Sequence, residues 1–163
     1  MINVTKLVKY ILLRQLHGIR NDLLGLKDKN IKYRRFHSQF GEDKYIYENI
    51  DLPEQGVFVD VGSGHPTYLS NTYFSEKNGW TGICIDADPR QVESSTKKRA
   101  IVVWAAISPV EGQVELDRAF SPTYSTSSRK YKYNKLVRVQ FRDTILVPSY
   151  RLETLLEKYN IGI

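Results

Sequence analysis

The stretch Val57-Phe58-Val59-Asp60-Val61-Gly62-Ser63-Gly64-His65-Pro66 decides how the rest of the chain is read. A short apolar, β-branched run leads into an acid and then into Gly-x-Gly, the pattern of a buried strand that ends in a tight turn. A second run, Gly82-Ile83-Cys84-Ile85-Asp86, again ends in a carboxylate. A glycine turn followed about 20 residues later by an acid is the layout of a ribose-binding Rossmann half. The pair of motifs points to an adenosine-containing ligand and leaves open which one.

Working outward, Pro53-Glu54-Gln55-Gly56 reads as the turn before the first strand, 57–61. Residues 68–78 read as a helix ending before Asn78-Gly79, and 82–86 as the second strand. Asp88-Pro89 opens another helix, with Asp88 as N-cap and Pro89 at the first helical position, running to about Lys98. Ile101 to Ala105 is the third strand. This alternation predicts an α/β fold with parallel strands. Beyond residue 113 the pattern changes. Val114–Asp117 and Val137–Phe141 alternate and are expected to form an antiparallel pair around a polar, Ser- and Tyr-rich loop at 121–133. A last helix, 151–159, carries Leu152, Leu155, Leu156 and Tyr159 on one face.

Upstream, two segments precede the first strand. Residues 3–24 have helix-period apolar positions with Lys6, Lys9, Arg14 and Arg20 on other faces. This basic amphipathic helix, with its linker to residue 30, either packs on protein, a second copy of the chain included, or makes weak contact with an anionic membrane surface. In Ser38-Gln39-Phe40-Gly41-Glu42-Asp43, Ser38 is the candidate cap of a helix whose apolar positions are Tyr45, Ile46 and Ile50. The main domain is then 31–163.

Composition narrows the class. The chain has 163 residues, 41% hydrophobic and 26% charged, enough for one domain with a core. No apolar run is long enough to span a bilayer and no secretory signal is visible, so a cytoplasmic protein is expected. The lone Cys84 lies in an apolar strand and reads as an inert core residue. The net charge of +6 follows no nucleic-acid-binding motif, so a solvated basic surface is expected and no nucleic-acid partner. No metal-ligand spacing is present.

The turn lacks the third glycine of the dinucleotide fingerprint, and Pro66 removes an N–H that would meet a phosphate. It therefore suits a ligand without phosphate, such as S-adenosyl-L-methionine, better than NAD. At this level the ordered set Ser38-Gln39-x-Gly41-Glu42-Asp43, Phe58-Val59-Asp60-Val61-Gly62, Leu69-Ser70-Asn71-Thr72 and Asn78-Gly79-Trp80-x-Gly82-Ile83-Cys84-Ile85-Asp86 resembles the FkbM-type methyltransferases. The similarity covers about 38–108, and 147–161 is similar to the segment before that family's fourth strand.

The resemblance implies a Rossmann-like class I methyltransferase fold. It also implies S-adenosyl-L-methionine as cofactor and O-methylation of a hydroxyl on a sugar, glycan or natural product. Asp60 and Gly62 correspond to the motif that holds the methionine end, with Gly64 beside them, and Asp86 to the ribose acid. Gln39 and Asp43 correspond to an upstream motif that closes over the cofactor, while Ser70 and Asn71 place polar groups near the same pocket. Ala106-Ile107-Ser108 follows the third strand, where the adenine edge is expected. In that fold the fourth strand pairs with the first. It is expected just after Ile163, so the chain reads as the N-terminal part of a longer enzyme or as a natural truncation, with acceptor-binding residues beyond it.

Each residue also has a plainer role. Asp60 could merely cap a strand turn, one of Asp86 and Asp88 could only cap a helix, and Ser70-Asn71 could be structural. His65 and His37 are candidate general bases, though a lone loop histidine is more often solvated. No catalytic residue is assigned. An NAD- or nucleotide-sugar-binding enzyme, and a non-catalytic module completed by a partner or by a second copy, remain the competing readings.

Overall fold

The computed structural model describes residues 35–127 and 139–162. The amphipathic helix expected over 3–24, its linker, and most of the second half of the Ser- and Tyr-rich loop lie outside the described residues. The fold is mixed α/β. Strands β1 (Val57–Val61), β2 (Thr81–Asp86) and β3 (Val102–Trp104) form a parallel sheet in the order β1-β2-β3, with Val59 opposite Ile83 and Cys84 opposite Val102. β2 is central, so Ile83, Cys84 and Ile85 are almost wholly buried, which is why its sequence is a continuous apolar run. β1 is an edge strand among the described residues, and its Val57 and Val61 are exposed.

The helices are shorter than the pattern predicts. α1 spans Glu42–Asn49, α2 Tyr73–Lys77, α3 Pro89–Thr96 and α4 Leu152–Lys158. The 68–78 helix begins only at Tyr73 because Ser70 Oγ accepts the Thr72 and Tyr73 N–H groups, and Leu69 has a φ of 59°. Both features hold the preceding residues out of helical geometry. α3 starts as expected: Asp88 is the N-cap, its side chain accepts from Arg90 N at 3.0 Å, and Pro89 follows.

α1 departs further from expectation. Its N-cap is Gly41, with a φ of 88°. Ser38 instead bonds Asp43, whose carboxylate also accepts the His37 and Ser38 N–H groups. Tyr45, Ile46 and Ile50 face solvent, while Asp43 and Tyr47 turn inward, Tyr47 meeting Phe74 edge-on and Phe36 at a tilt. The residues four apart, 43 and 47, define the packed face.

At Ala105 the chain leaves the first sheet. β4 (Ala106–Ile107), β5 (Gly112–Ala119) and β6 (Phe141–Tyr150) form a second sheet in the order β4-β6-β5. β5 and β6 are antiparallel, with Val114 opposite Val147 and Asp117 opposite Thr144. The expected antiparallel pairing occurs with its second strand over 141–150, which shares only Phe141 with the expected 137–141; residues 137 and 138 lie outside the described residues. Pro148 argues against a strand there. It is tolerated because β4 pairs only Ser149 and Tyr150, leaving the rest of β6 with β5 as its sole neighbour among the described residues. α4 packs Leu155 into the cluster of Ile83, Ile85, Val103 and Ala105, with Leu152, Leu156 and Tyr159 around it, as its spacing predicts. Among the described residues no helix is long and apolar enough to cross a membrane.

One glycine makes the parallel pairing testable. A Cβ at Gly82 would lie 2.2 Å from the Phe58 carbonyl oxygen and 2.6 Å from its ring. Gly82→Ala is expected to lower stability by about 3 kcal/mol through overpacking against backbone, read from urea unfolding. An unchanged midpoint would contradict this β1–β2 packing.

Candidate functional site

The carboxyl ends of β1 and β2 and the β3–β4 junction open into a cavity of about 350 Å³, the size class of small-molecule sites. Gly62, Gly64, Asp86 and Ala105 to Ile107 form one wall. Leu116 of β5 and the segment 122–127 form the other. Ligands of open α/β sheets bind outside the carboxyl ends of the strands.

The floor is the Gly-x-Gly turn. Gly62 and Gly64 have φ values of 72° and 60°, a conformation that side-chain-bearing residues rarely adopt. A Cβ at Gly62 would meet nothing within 4 Å, so the space above the turn is open. The turn's amides, however, are directed at the protein. Gly62 N and Ser63 N donate to Ile85 O at 2.8 and 3.2 Å, and Gly64 N donates to Asp86 Oδ2 at 2.8 Å. The buried Ser63 hydroxyl has no hydrogen-bond partner.

The two acids at the end of β2 are doing different things. Both line the cavity, and each Asp86 oxygen holds one backbone amide: Gly64 N on Oδ2 and Asp88 N, at 2.8 Å, on Oδ1. Each oxygen keeps capacity for a further donor. Burial pushes the Asp86 carboxyl above its usual range; the two amides oppose this, and the Asp88 and Asp60 charges add to it. For Asp88, burial alone would also raise the pKa. Hydrogen bonds from Arg90 and Ser125 outweigh it and hold that carboxyl below the usual value. Asp88 is thus the helix cap and Arg90 partner, and Asp86 is the acid available to a ligand.

The other candidates are placed elsewhere. Asp60 does not line the cavity; its Oδ2 accepts from Thr72 Oγ1 at 2.5 Å, and Thr72 in turn accepts from Arg99 at 2.7 Å. Arg99 is buried, pairs with Glu76, and donates to Ser70 Oγ and Pro66 O, both at 3.2 Å. Asp60 and Ser70 therefore belong to a polar network that secures the connection from the turn to α2. Asn71 and Gln39 are exposed and outside the cavity lining. Asp43 is buried, with its carboxylate spent on ordering residues 37–44, and is also outside it.

His65 Nδ1 accepts the Thr67 and Tyr68 N–H groups at 3.2 and 2.9 Å, which makes it a turn-forming residue, and burial followed by Lys98 lowers its pKa. His37 has its pKa lowered by burial first and Arg35 second, and meets Tyr73 edge-on. Neither histidine lines the cavity. Burial pushes the Cys84 thiol up to about 12, as an inert core residue requires. No cluster able to hold a metal occurs among the described residues.

Sequence reasoning missed Gln91 and Leu116 as lining residues. Leu116 is brought to the glycine turn by the second sheet and not by chain proximity, whereas Gln91 follows Asp86 closely in the first turn of α3.

The raised pKa of Asp86 sets a pH dependence with a definite sign. Between the unfolded value and the higher folded value the native state holds the extra proton, so ionisation costs stability as pH rises through that window. Relative to the parent, Asp86→Asn is expected to gain stability as pH rises from about 3.8 through the native pKa, then to level off. A parent–variant difference flat over pH 3–7 would contradict the burial of this carboxylate.

Compared with known proteins, the chain matches no family model, no curated protein and no solved structure.

Proposed function

We propose that the chain is a Rossmann-like, S-adenosyl-L-methionine-dependent methyltransferase domain that transfers a methyl group to a hydroxyl of a sugar, glycan or natural product. The observation that carries this reading is the state of the glycine turn. A pyrophosphate needs free amides and a helix N-terminus directly behind the turn. Here the three turn amides have protein acceptors, Asp86 places negative charge against Gly64, and α2 begins only at Tyr73. A phosphate would meet repulsion where it needs donors. A nucleoside with free ribose hydroxyls and a cationic substituent meets the reverse.

The residues fit that cofactor class. The two Asp86 oxygens can each accept one ribose hydroxyl proton. Ala105, Ala106, Ile107 and Leu116 offer an apolar slot for a base. Asp60 adds a second carboxylate close enough to influence Asp86, favouring a positively charged ligand over an anionic one. When bound, the cofactor supplies an electrophilic methyl group on a sulfonium. The chain's own part is to hold the nucleoside, exclude water from the slot and fix the direction from which an acceptor hydroxyl approaches.

Isothermal titration with S-adenosylhomocysteine and with NAD tests the proposal. Binding of the first and not the second is expected. Asp86→Ala should weaken it by roughly 10- to 100-fold, as for one or two hydrogen bonds to a charged acceptor. Because the ligand favours ionised Asp86, affinity should rise with pH through the carboxyl's raised pKa and be flat above it. NAD binding without S-adenosylhomocysteine binding would overturn the reading.

A further inference from the structure

The segment 122–127 supplies much of the cavity's second wall: Pro122, Thr123, Ser125, Thr126 and Ser127 all line it. What holds this strap against the parallel sheet is a buried acid and its arginine partner. Asp88, 2% exposed, accepts four hydrogen bonds. Three come from Arg90: its backbone N at 3.0 Å, Nε at 2.9 Å and Nη2 at 2.6 Å. The fourth comes from Ser125 Oγ at 2.8 Å. Arg90 continues across the gap to Ala119 O at 2.8 Å and Phe120 O at 3.3 Å.

Ser125 has one hydroxyl proton, and its oxygen already accepts from Ala119 N at 3.2 Å. The proton is thereby directed to Asp88. At its far end the strap is tied to β5 by reciprocal backbone bonds between Asp117 and Thr126, at 2.9 and 3.0 Å. The strap is therefore closed on β5 by backbone and joined to the β2–α3 corner through Asp88. That corner is two residues from Asp86.

We infer that Asp88, Arg90 and Ser125 form a clasp that sets the distance between the two walls of the cofactor cavity, making Ser125 and Asp88 positioning residues for the bound nucleoside. The alternating acids Asp86 and Asp88 divide the work: one faces the ligand, the other fixes the wall opposite it. Removing the Ser125 hydroxyl leaves Asp88 one donor short and Ala119 N without its acceptor. The strap is then held less firmly, keeping its Asp117–Thr126 backbone bonds to β5, while the parallel sheet and its core are untouched.

This inference rests on the cofactor reading above, and two readouts on the full chain separate their failures. One is S-adenosylhomocysteine affinity by isothermal titration; the other is amide hydrogen exchange without ligand. Ser125→Ala is expected to weaken binding about tenfold, one hydrogen bond to a charged group. It should also speed exchange at Ala119 and Thr126 by a similar factor, with Ile83 and Ile85 of β2 unchanged. Ser125→Thr, which keeps the hydroxyl, should stay within about threefold of the parent in both readouts. Asp88→Asn, which also breaks the pair with Arg90, should exceed Ser125→Ala in both readouts. Faster strap exchange with unaltered affinity would show that the clasp serves structure alone and overturn the inference. So would unchanged exchange. A parent chain that binds no S-adenosylhomocysteine, with strap exchange still faster in Ser125→Ala, would overturn the cofactor reading and leave the clasp's hold on the cavity wall standing.

Discussion

The site depends on one arrangement: the Asp86 carboxylate accepting the amide of Gly64 on one oxygen and that of Asp88 on the other. The first bond fixes the glycine turn over the end of β2. The second fixes the start of α3. A half-buried carboxylate in this position is costly to ionise, and the two amides recover part of that cost. The remaining acceptor capacity faces the cavity. A donor-rich, phosphate-free ligand would supply what the protein withholds, and this is the physical basis of the functional reading.

Around that carboxylate the polar residues fall into two groups with little overlap. Arg99 gathers Glu76, Thr72, Ser70 and, through Thr72, Asp60. This group orders the long connection that replaces most of the first expected helix. Arg90 gathers Asp88 and, with Ser125, the β5 end. Arg99 is buried and Arg90 pairs with a buried acid, so breaking either pair is more costly than the pair itself is worth. Their value is in specifying geometry on either side of an open turn.

Much of this was legible in the sequence. The runs before Asp60 and Asp86 show their strands because short apolar, β-branched runs favour extended backbone, and the run before Asp86 is continuous because β2 is central. Asp88-Pro89 shows a helix start because its capping chemistry is local. The leucines of α4 show their face because helix periodicity is local too. Legibility failed where long-range geometry intervened. The apolar residues of α1 face outward because Asp43 and Tyr47 find partners inside. The alternation at 137–141 was less informative than Thr144 to Val147, which a proline obscured. Of the candidate binding residues, Gly62, Gly64 and Asp86 come together at the cavity. Gln39, Asp43, Asp60, Ser70 and Asn71 have their side chains engaged elsewhere or exposed. Motif order cannot distinguish a residue that faces a ligand from one that supports the loop beside it.

The most direct test of the central claim is a crystal structure of the chain with S-adenosylhomocysteine. The account predicts both ribose hydroxyls within hydrogen-bonding distance of Asp86, the Gly64–Asp86 bond intact, and the base between Ile107 and Leu116. A nucleoside bound away from Asp86, or a turn rearranged so that its amides meet a phosphate instead, would contradict it.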